Sequence, residues 1–309
     1  MLATAVVNRF HPVRDWLSSL RWDGVKRIDN WLVNAFGCDK TQYHSAVGVK
    51  FLIASVRRIL QPGTKFDYLL VLEGPQGIGK STALRELFLI KWFSDSIPPD
   101  LRSRDAAIAL QDVWCLEFAE IEHLIRSDPE TIKAFLSRSV DRYRPVYGKS
   151  YVERPRQGVL VGTTNASEWL RDFTGNRRIW PVKCPVADPL WVSVNVEQLW
   201  AEAVIREASG ETIWLDDECA SSEAVVAQVD RLIEDVWSDA VVTWLRSGGY
   251  REVKTADVLT HALSLPKDRQ DRRAEYRVTA IMTGEGWTKV VKKTKDRKSY
   301  KAWVIQDGR

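Results

Sequence analysis

Residues 74–81 read Gly-Pro-Gln-Gly-Ile-Gly-Lys-Ser, glycines spaced around one lysine and one hydroxyl in a way that suits a polyphosphate. Glycines at 74, 77 and 79 permit a tight turn whose successive N–H groups point inward, and the N-terminus of a following helix adds partial positive charge. Gly74, Pro75, Gln76, Gly77, Ile78, Gly79, Lys80, Ser81 and Thr82 are therefore the expected nucleotide contacts. Lys80 would reach the β and γ phosphates as a mobile point charge, and the Ser81 hydroxyl would ligate a bridging Mg²⁺. ATP and Mg²⁺ are the expected cofactors. The flanks agree, because an apolar run over 68–72 enters the loop and a helical stretch over 82–89 leaves it.

A nucleotide hydrolase also needs carboxylates, one for the metal and one to orient the attacking water. The apolar run over 113–116 ends in Glu117, with Glu120 three residues on. Phe118 separates Glu117 from any adjacent acid, so the division of the two roles between Glu117 and Glu120 stays open. Glu117 is the expected metal ligand beside Ser81. A later strand over 159–162 runs into Thr163-Thr164-Asn165, where the Asn165 amide could bond the γ-phosphate or the water. Then comes Gly175-Asn176-Arg177-Arg178, and either Arg177 or Arg178 could neutralise transition-state charge, in ring ATPases often across a subunit boundary. Thr64-Lys65-Phe66-Asp67 fits a guanine-reading pattern but precedes the loop it should follow, and is read as coincidence.

Two basic segments suit nucleic acid. Arg138, Arg142, Arg144, Lys149, Arg154 and Arg156 alternate with Tyr143, Tyr147 and Tyr151 against two acids, a mixture that can bind phosphates and stack bases. Lys133 precedes them. Near the C-terminus, two alternating runs, 287–292 and 298–305, flank a turn at 293–297. With three preceding helical stretches they describe a winged helix, with Lys292, Lys293, Lys295 and Arg297 on its basic hairpin.

The elements that must position these residues follow from periodicity. Residues 12–60 carry helical apolar spacing that Pro62-Gly63 stops. Strand and helix then alternate to about 182, with strands expected at 66–73, 91–94, 113–118 and 158–164, the pattern of a parallel sheet wrapped by helices. A helix starts near Asp128-Pro129 and another covers 196–208. The expected divisions are a helical segment 1–61, an α/β P-loop core 62–215 and a linker with a winged-helix domain 216–309. Hydrophobic content of 45% with 28% charged residues is that of a globular protein. No apolar run reaches bilayer length and no signal pattern opens the chain, so a cytoplasmic location without membrane partners is expected. The four cysteines lack metal-ligand spacing and are expected to be reduced and mostly packed. Of fourteen tryptophans, Trp16, Trp31 and Trp244 are expected to fill cores.

Taken together, the chain resembles the virulence-associated protein E family, P-loop ATPases similar to superfamily 3 helicases and often encoded by phages and mobile islands. The matching elements are Trp22-Asp23-Gly24, Pro62-Gly63, the loop over 73–82, Glu117 and Glu120, Ile132-Lys133-Ala134-Phe135, Asp141-Arg142-Tyr143-Arg144, Thr163-Thr164-Asn165 and Gly175-Asn176-Arg177-Arg178. The resemblance implies an AAA+-like core, a hexameric ring translocating on single-stranded DNA, and roles for Asn165 and Arg178 in hydrolysis. It also implies forked DNA and replication proteins, a primase among them, as partners. Many relatives carry a primase domain upstream, and priming by this chain is not expected. An ATP-switched initiator that binds an origin without unwinding is the alternative.

Overall fold

The computed structural model describes residues 11–127, 129–170, 176–231, 236–293 and 299–305. Gly175, Lys295 and Arg297, named above, lie outside the described residues, as does the side chain of Lys293. The chain divides into two compact units after Arg231.

The first unit is built on five parallel strands: β1 (Leu69–Glu73), β2 (Phe93–Ser94), β3 (Cys115–Phe118), β6 (Val159–Thr164) and β7 (Ile179–Lys183), in the order β2-β3-β6-β1-β7. Strands buried on both faces read as continuous apolar runs, which is why Leu69-Leu70-Val71-Leu72 has no alternation. The expected strands near 66–73, 91–94, 113–118 and 158–164 are all present. β7 was not expected as a strand, and it carries Pro181. It lies at the sheet edge, bonded to β1 alone, and an edge strand tolerates a residue without an N–H.

Three N-terminal helices, α1 (Pro12–Ser19), α2 (Trp31–Phe36) and α3 (Gln42–Leu60), share one core with this sheet. Thr41 caps α3 by accepting from the His44 N–H at 3.2 Å. Next come α4 (Lys80–Phe88), α5 (Arg104–Ile108), α6 (Ile121–Ser127) and α7 (Pro129–Leu136). α8 (Pro189–Ala208) starts earlier than the expected 196, because Asp188 accepts from the Trp191 N–H and Pro189 suits a first turn. α9 (Glu218–Val229) occupies a stretch read as linker from sequence. It packs on α3 and β7 through Ala220, Ala224 and Gln228, so the 215/216 division falls inside the first unit. An antiparallel hairpin, β4 (Val140–Tyr143) and β5 (Val152–Pro155), projects between α7 and β6 in the chain.

Tryptophan dominates the packing behind the site. Trp114 on the approach to β3 lies against Trp16, Phe88, Trp92 and Trp200 at 4.2–6.1 Å between ring centroids. Its indole N–H donates to the Ser55 carbonyl. Trp31 is fully buried, and Trp16 and Trp244 are half-buried. Cys38, Cys115 and Cys184 are buried thiols and Cys219 is exposed.

The second unit holds α10 (Ser238–Gly248), β8 (Glu252–Val253), α11 (Thr255–Asp257) continuing as a π-turn Val258–Ala262, α12 (Arg272–Gly284), β9 (Trp287–Lys293) and β10 (Ser299–Ile305). Its strands form an antiparallel sheet in the order β8-β10-β9 over a core that includes Val241, Val258, Val278, Met282 and Trp303. Among the described residues no helix is long and apolar enough to cross a membrane.

Candidate nucleotide site and basic cleft

The order β3-β6-β1 brings three carboxyl-terminal strand ends side by side, the place where open α/β sheets bind ligands. From β1 the chain enters the glycine loop. A side chain at Gly74 would put its Cβ 2.1 Å from the Cys184 carbonyl oxygen, so the loop can pass the end of β7 only as glycine. The Gly74 N–H donates to Thr164 O at 3.1 Å, tying the loop to β6. Gly77 and Gly79 take φ of 79° and 98°, and the second starts α4. Pro75, Gln76 and Ile78 complete the turn, and Thr82 follows Ser81 inside α4.

Lys80 is buried, and its Nζ donates to Gly74 O at 2.7 Å, Pro75 O at 2.8 Å and Asn165 Oδ1 at 3.2 Å. All three ammonium donors are therefore held at the loop mouth. Burial pushes the Lys80 ammonium below its usual pKa, while Cys184, Glu117 and Glu122 oppose that shift. Ser81 Oγ donates to Glu117 Oε1 at 2.6 Å, and Thr163 Oγ1 donates to the same oxygen at 2.6 Å. Glu117 is 0% exposed, and its Oε2 has no hydrogen-bond partner among the described residues. A buried carboxylate oxygen in that state is expensive unless a ligand completes it. Ser81 and Glu117 thus fit one edge of a hydrated Mg²⁺, which takes one or two protein ligands and fills its shell with phosphate and water. Among the described residues no group of three or more His, Cys, Asp or Glu could hold a metal alone.

The other expected residues divide. Asn165 joins the cluster through Lys80. Glu120 does not: it is exposed, 3.8 Å from His123 Nε2, with φ of 50°. Glu122, two residues on in α6, is buried with an unpartnered Oε2 and reaches Lys80 electrostatically. In the sequence it stands only as a further acid after β3, with nothing to set it apart from Glu120. Arg178 Nε pairs with Asp67 at 3.0 Å, which gives the misplaced Thr64–Asp67 pattern a structural role. Arg177 beside it is exposed.

A second buried carboxylate borders the loop. Glu73, the last residue of β1, accepts from Arg231 Nε at 2.7 and 2.8 Å and from Trp169 Nε1 at 2.6 Å. The Arg231 carbonyl in turn accepts the Trp169 and Leu170 N–H groups.

The hairpin β4–β5 is anchored at its base. Arg156, 4% exposed, forms a bidentate pair with Asp141 at 2.7 and 2.8 Å, donates to Phe135 O and lies 4.4 Å from the Phe135 ring. Beside the hairpin is a cavity of about 900 Å³, lined by Arg138, Arg142, Arg144, Tyr147 and Lys149 of the expected set and also by Arg102 and Arg104. Lys133 pairs with Glu130 on α7, and Arg154 is exposed on β5; neither lines this cavity. In the second unit Lys292 is held by Glu252 at 2.6 Å.

The profile of the virulence-associated protein E-like domain matches residues 17–231. Among solved structures, the A-form apo structure of the NrS-1 C-terminal region aligns with a TM-score of 0.51 at 13% identity, covering 94% of this chain and 78% of that one. A second A-form apo structure of that region gives 0.45 at 14% with the same coverage. A mutant Thermotoga maritima RuvB gives 0.26 at 13%, covering 84% and 92%. The first likeness shows a shared fold; the other two carry no argument. No curated protein matches the sequence.

Proposed function

The chain belongs to the virulence-associated protein E-like family, and we propose that it is a Mg²⁺- and ATP-dependent DNA helicase of the superfamily 3 kind, translocating on single-stranded DNA during replication of a phage or mobile element. The observation that carries this reading is the convergence of Lys80, Ser81, Glu117 and Asn165 at the carboxyl edge of one parallel sheet. On ATP binding, Lys80 exchanges its carbonyl partners for β and γ phosphate oxygens, and the glycine-loop amides hold the rest of the tail. Mg²⁺, when bound, would supply charge neutralisation to the phosphate tail. Ser81 and Glu117 would hold it, and Asn165 would bond the γ-phosphate or the attacking water.

The burial of Glu122 favours it over Glu120 for orienting that water. Arg178 is engaged by Asp67, so Arg177 is the arginine left to reach a neighbouring subunit's γ-phosphate in a hexameric ring. Three helical segments and the β9–β10 hairpin support a winged-helix second unit that contacts forked or duplex DNA. A primase or other replication proteins are the natural partners.

ATPase rate with and without single-stranded DNA, measured beside unwinding of a tailed duplex, tests the reading. DNA-stimulated turnover with unwinding is expected. Stimulation without unwinding replaces the helicase by an ATP-switched initiator, and indifference to DNA removes both. Mixing Arg177→Ala with Lys80→Ala subunits should restore part of the activity each lacks alone; no recovery sinks the role across subunits.

A further inference from the structure

We propose that the α5 segment and the β4–β5 hairpin are two walls of one cleft that takes unpaired DNA, phosphates against guanidinium groups and a base against tyrosine. This rests on the DNA-motor reading and assigns it a specific strand-holding site. The hairpin wall was legible as a run of cations. The opposite wall was not: Arg104 lies more than thirty positions earlier in the chain, and the fold brings it to the same cavity as Arg142, Arg144, Tyr147, Lys149 and Tyr151.

Charge identifies the occupant. The one acid lining the cavity is Asp141, which is 2% exposed and closed on both oxygens by Arg156. Its charge is spent inside the hairpin base, and the cleft surface is left cationic. The remaining restraints are weak or partial. Arg104 meets Asp105 at 3.4 Å with both side chains about half exposed or more, and Arg142 meets Glu153 at 3.8 Å with both above 60% exposed. Pairs this exposed exchange readily for a phosphate. Arg144 uses Nε on Gly148 O at 2.6 Å and keeps its other donors. Arg102 braces the wall by donating to Thr131, so Arg104 is its reaching cation.

Shape and aromatic content select an unpaired strand. A volume near 900 Å³ falls in the ~300–1,000 Å³ range of sites that enclose a drug-sized ligand, the size class of a nucleotide. Tyr147 is fully exposed with φ of 63°, and Tyr151 is 64% exposed with Arg142 5.1 Å from its ring centroid. A ring so placed stacks on a base only where that base is not already stacked in a duplex.

The test is binding of a fluorescent oligothymidylate by anisotropy without nucleotide, across a salt series. Arg104→Ala should weaken binding about five-fold or more and lower the slope of log K against log salt by ~0.7, the contribution of one single-strand phosphate. Tyr147→Ala should weaken it about five-fold or more with the slope unchanged. Both side chains are exposed, so matching circular dichroism and melting curves establish that the variants fold. Affinity and slope unchanged in Arg104→Ala overturn the two-walled cleft. So does a loss of blunt-duplex binding in Tyr147→Ala as large as its loss of oligothymidylate binding, or equal competition by polyglutamate. Wild-type ATPase separates this proposal from the one beneath it: protein that binds the strand through Arg104 yet hydrolyses no ATP keeps the cleft and loses the motor, whereas DNA-stimulated turnover with Arg104→Ala binding normally keeps the motor and loses the cleft.

Discussion

Glu73 and Glu117 are both buried carboxylates at the same edge of the same sheet, and they are satisfied in opposite ways. Glu73 receives two bonds from Arg231 and one from the Trp169 indole, so its charge is matched and both oxygens are engaged. Glu117 receives two hydroxyls on one oxygen and nothing on the other. A closed carboxylate serves the fold, since removing either partner strands a charge. A half-closed one lowers stability and persists where a ligand completes it. The glycine loop runs between them, fastened on one side and open on the other.

The largest expected effect is on the open side. Lys80→Ala should take ATP turnover to background, a loss of more than about a thousandfold, or ~4 kcal/mol of barrier. Stability should change by no more than about 1 kcal/mol, because removing a desolvated charge offsets part of the loss of its bonds to the two loop carbonyls and the Asn165 amide oxygen. Glu117→Gln should lose turnover on a similar scale while holding its urea midpoint, since the amide keeps an acceptor for both hydroxyls and removes a desolvated charge. Normal turnover in Glu117→Gln would break the contrast at its root.

On the closed side the effect moves from activity to stability. Glu73→Gln leaves Arg231 buried against a neutral partner and should cost about 3–5 kcal/mol in urea unfolding, as should Arg231→Met. The double variant should cost less than the sum of the two, because each single change already spends the shared interaction. Additive losses would mean that the two side chains act separately, and the closed side would lose its meaning.

This closed pair also marks the limit of what the sequence discloses. The loop, β1, β3 and β6 could be read because apolar runs and glycine spacing are local signals, and Lys80, Ser81, Glu117 and Asn165 do converge. Arg231 is 158 residues from Glu73, and nothing near either residue announces the other. α9 carries a weak sequence signal because it buries Ala220, Ala224 and Gln228 and no large apolar side chain. β7 was hidden by Pro181, which is compatible with a strand only at the edge it occupies. Glu120 looked as well placed as Glu117 in a string of letters, but its left-handed backbone turns the chain into α6 and leaves it in solvent while Glu122 faces inward.

The smallest expected effects compare one donor on each side. Trp169→Phe removes the indole N–H from Glu73 and leaves a smaller ring in a fully buried site, so Arg231 still matches the charge and the lost bond and lost volume together should cost about 2–3 kcal/mol. Thr163→Val removes one of two hydroxyls from Glu117 and should cost about 1 kcal/mol. Stability mixes a lost bond with lost ring volume in the first variant, so it does not compare the two donors. The magnesium concentration for half-maximal ATPase does. Losing the Thr163 hydroxyl leaves Glu117 freer to turn from Ser81, and that midpoint should shift by about three-fold or more, whereas Trp169→Phe should leave it in place, because Glu73 contributes no ligand. A shift in Trp169→Phe as large as that in Thr163→Val would show that the fastened side of the loop also sets the metal's position.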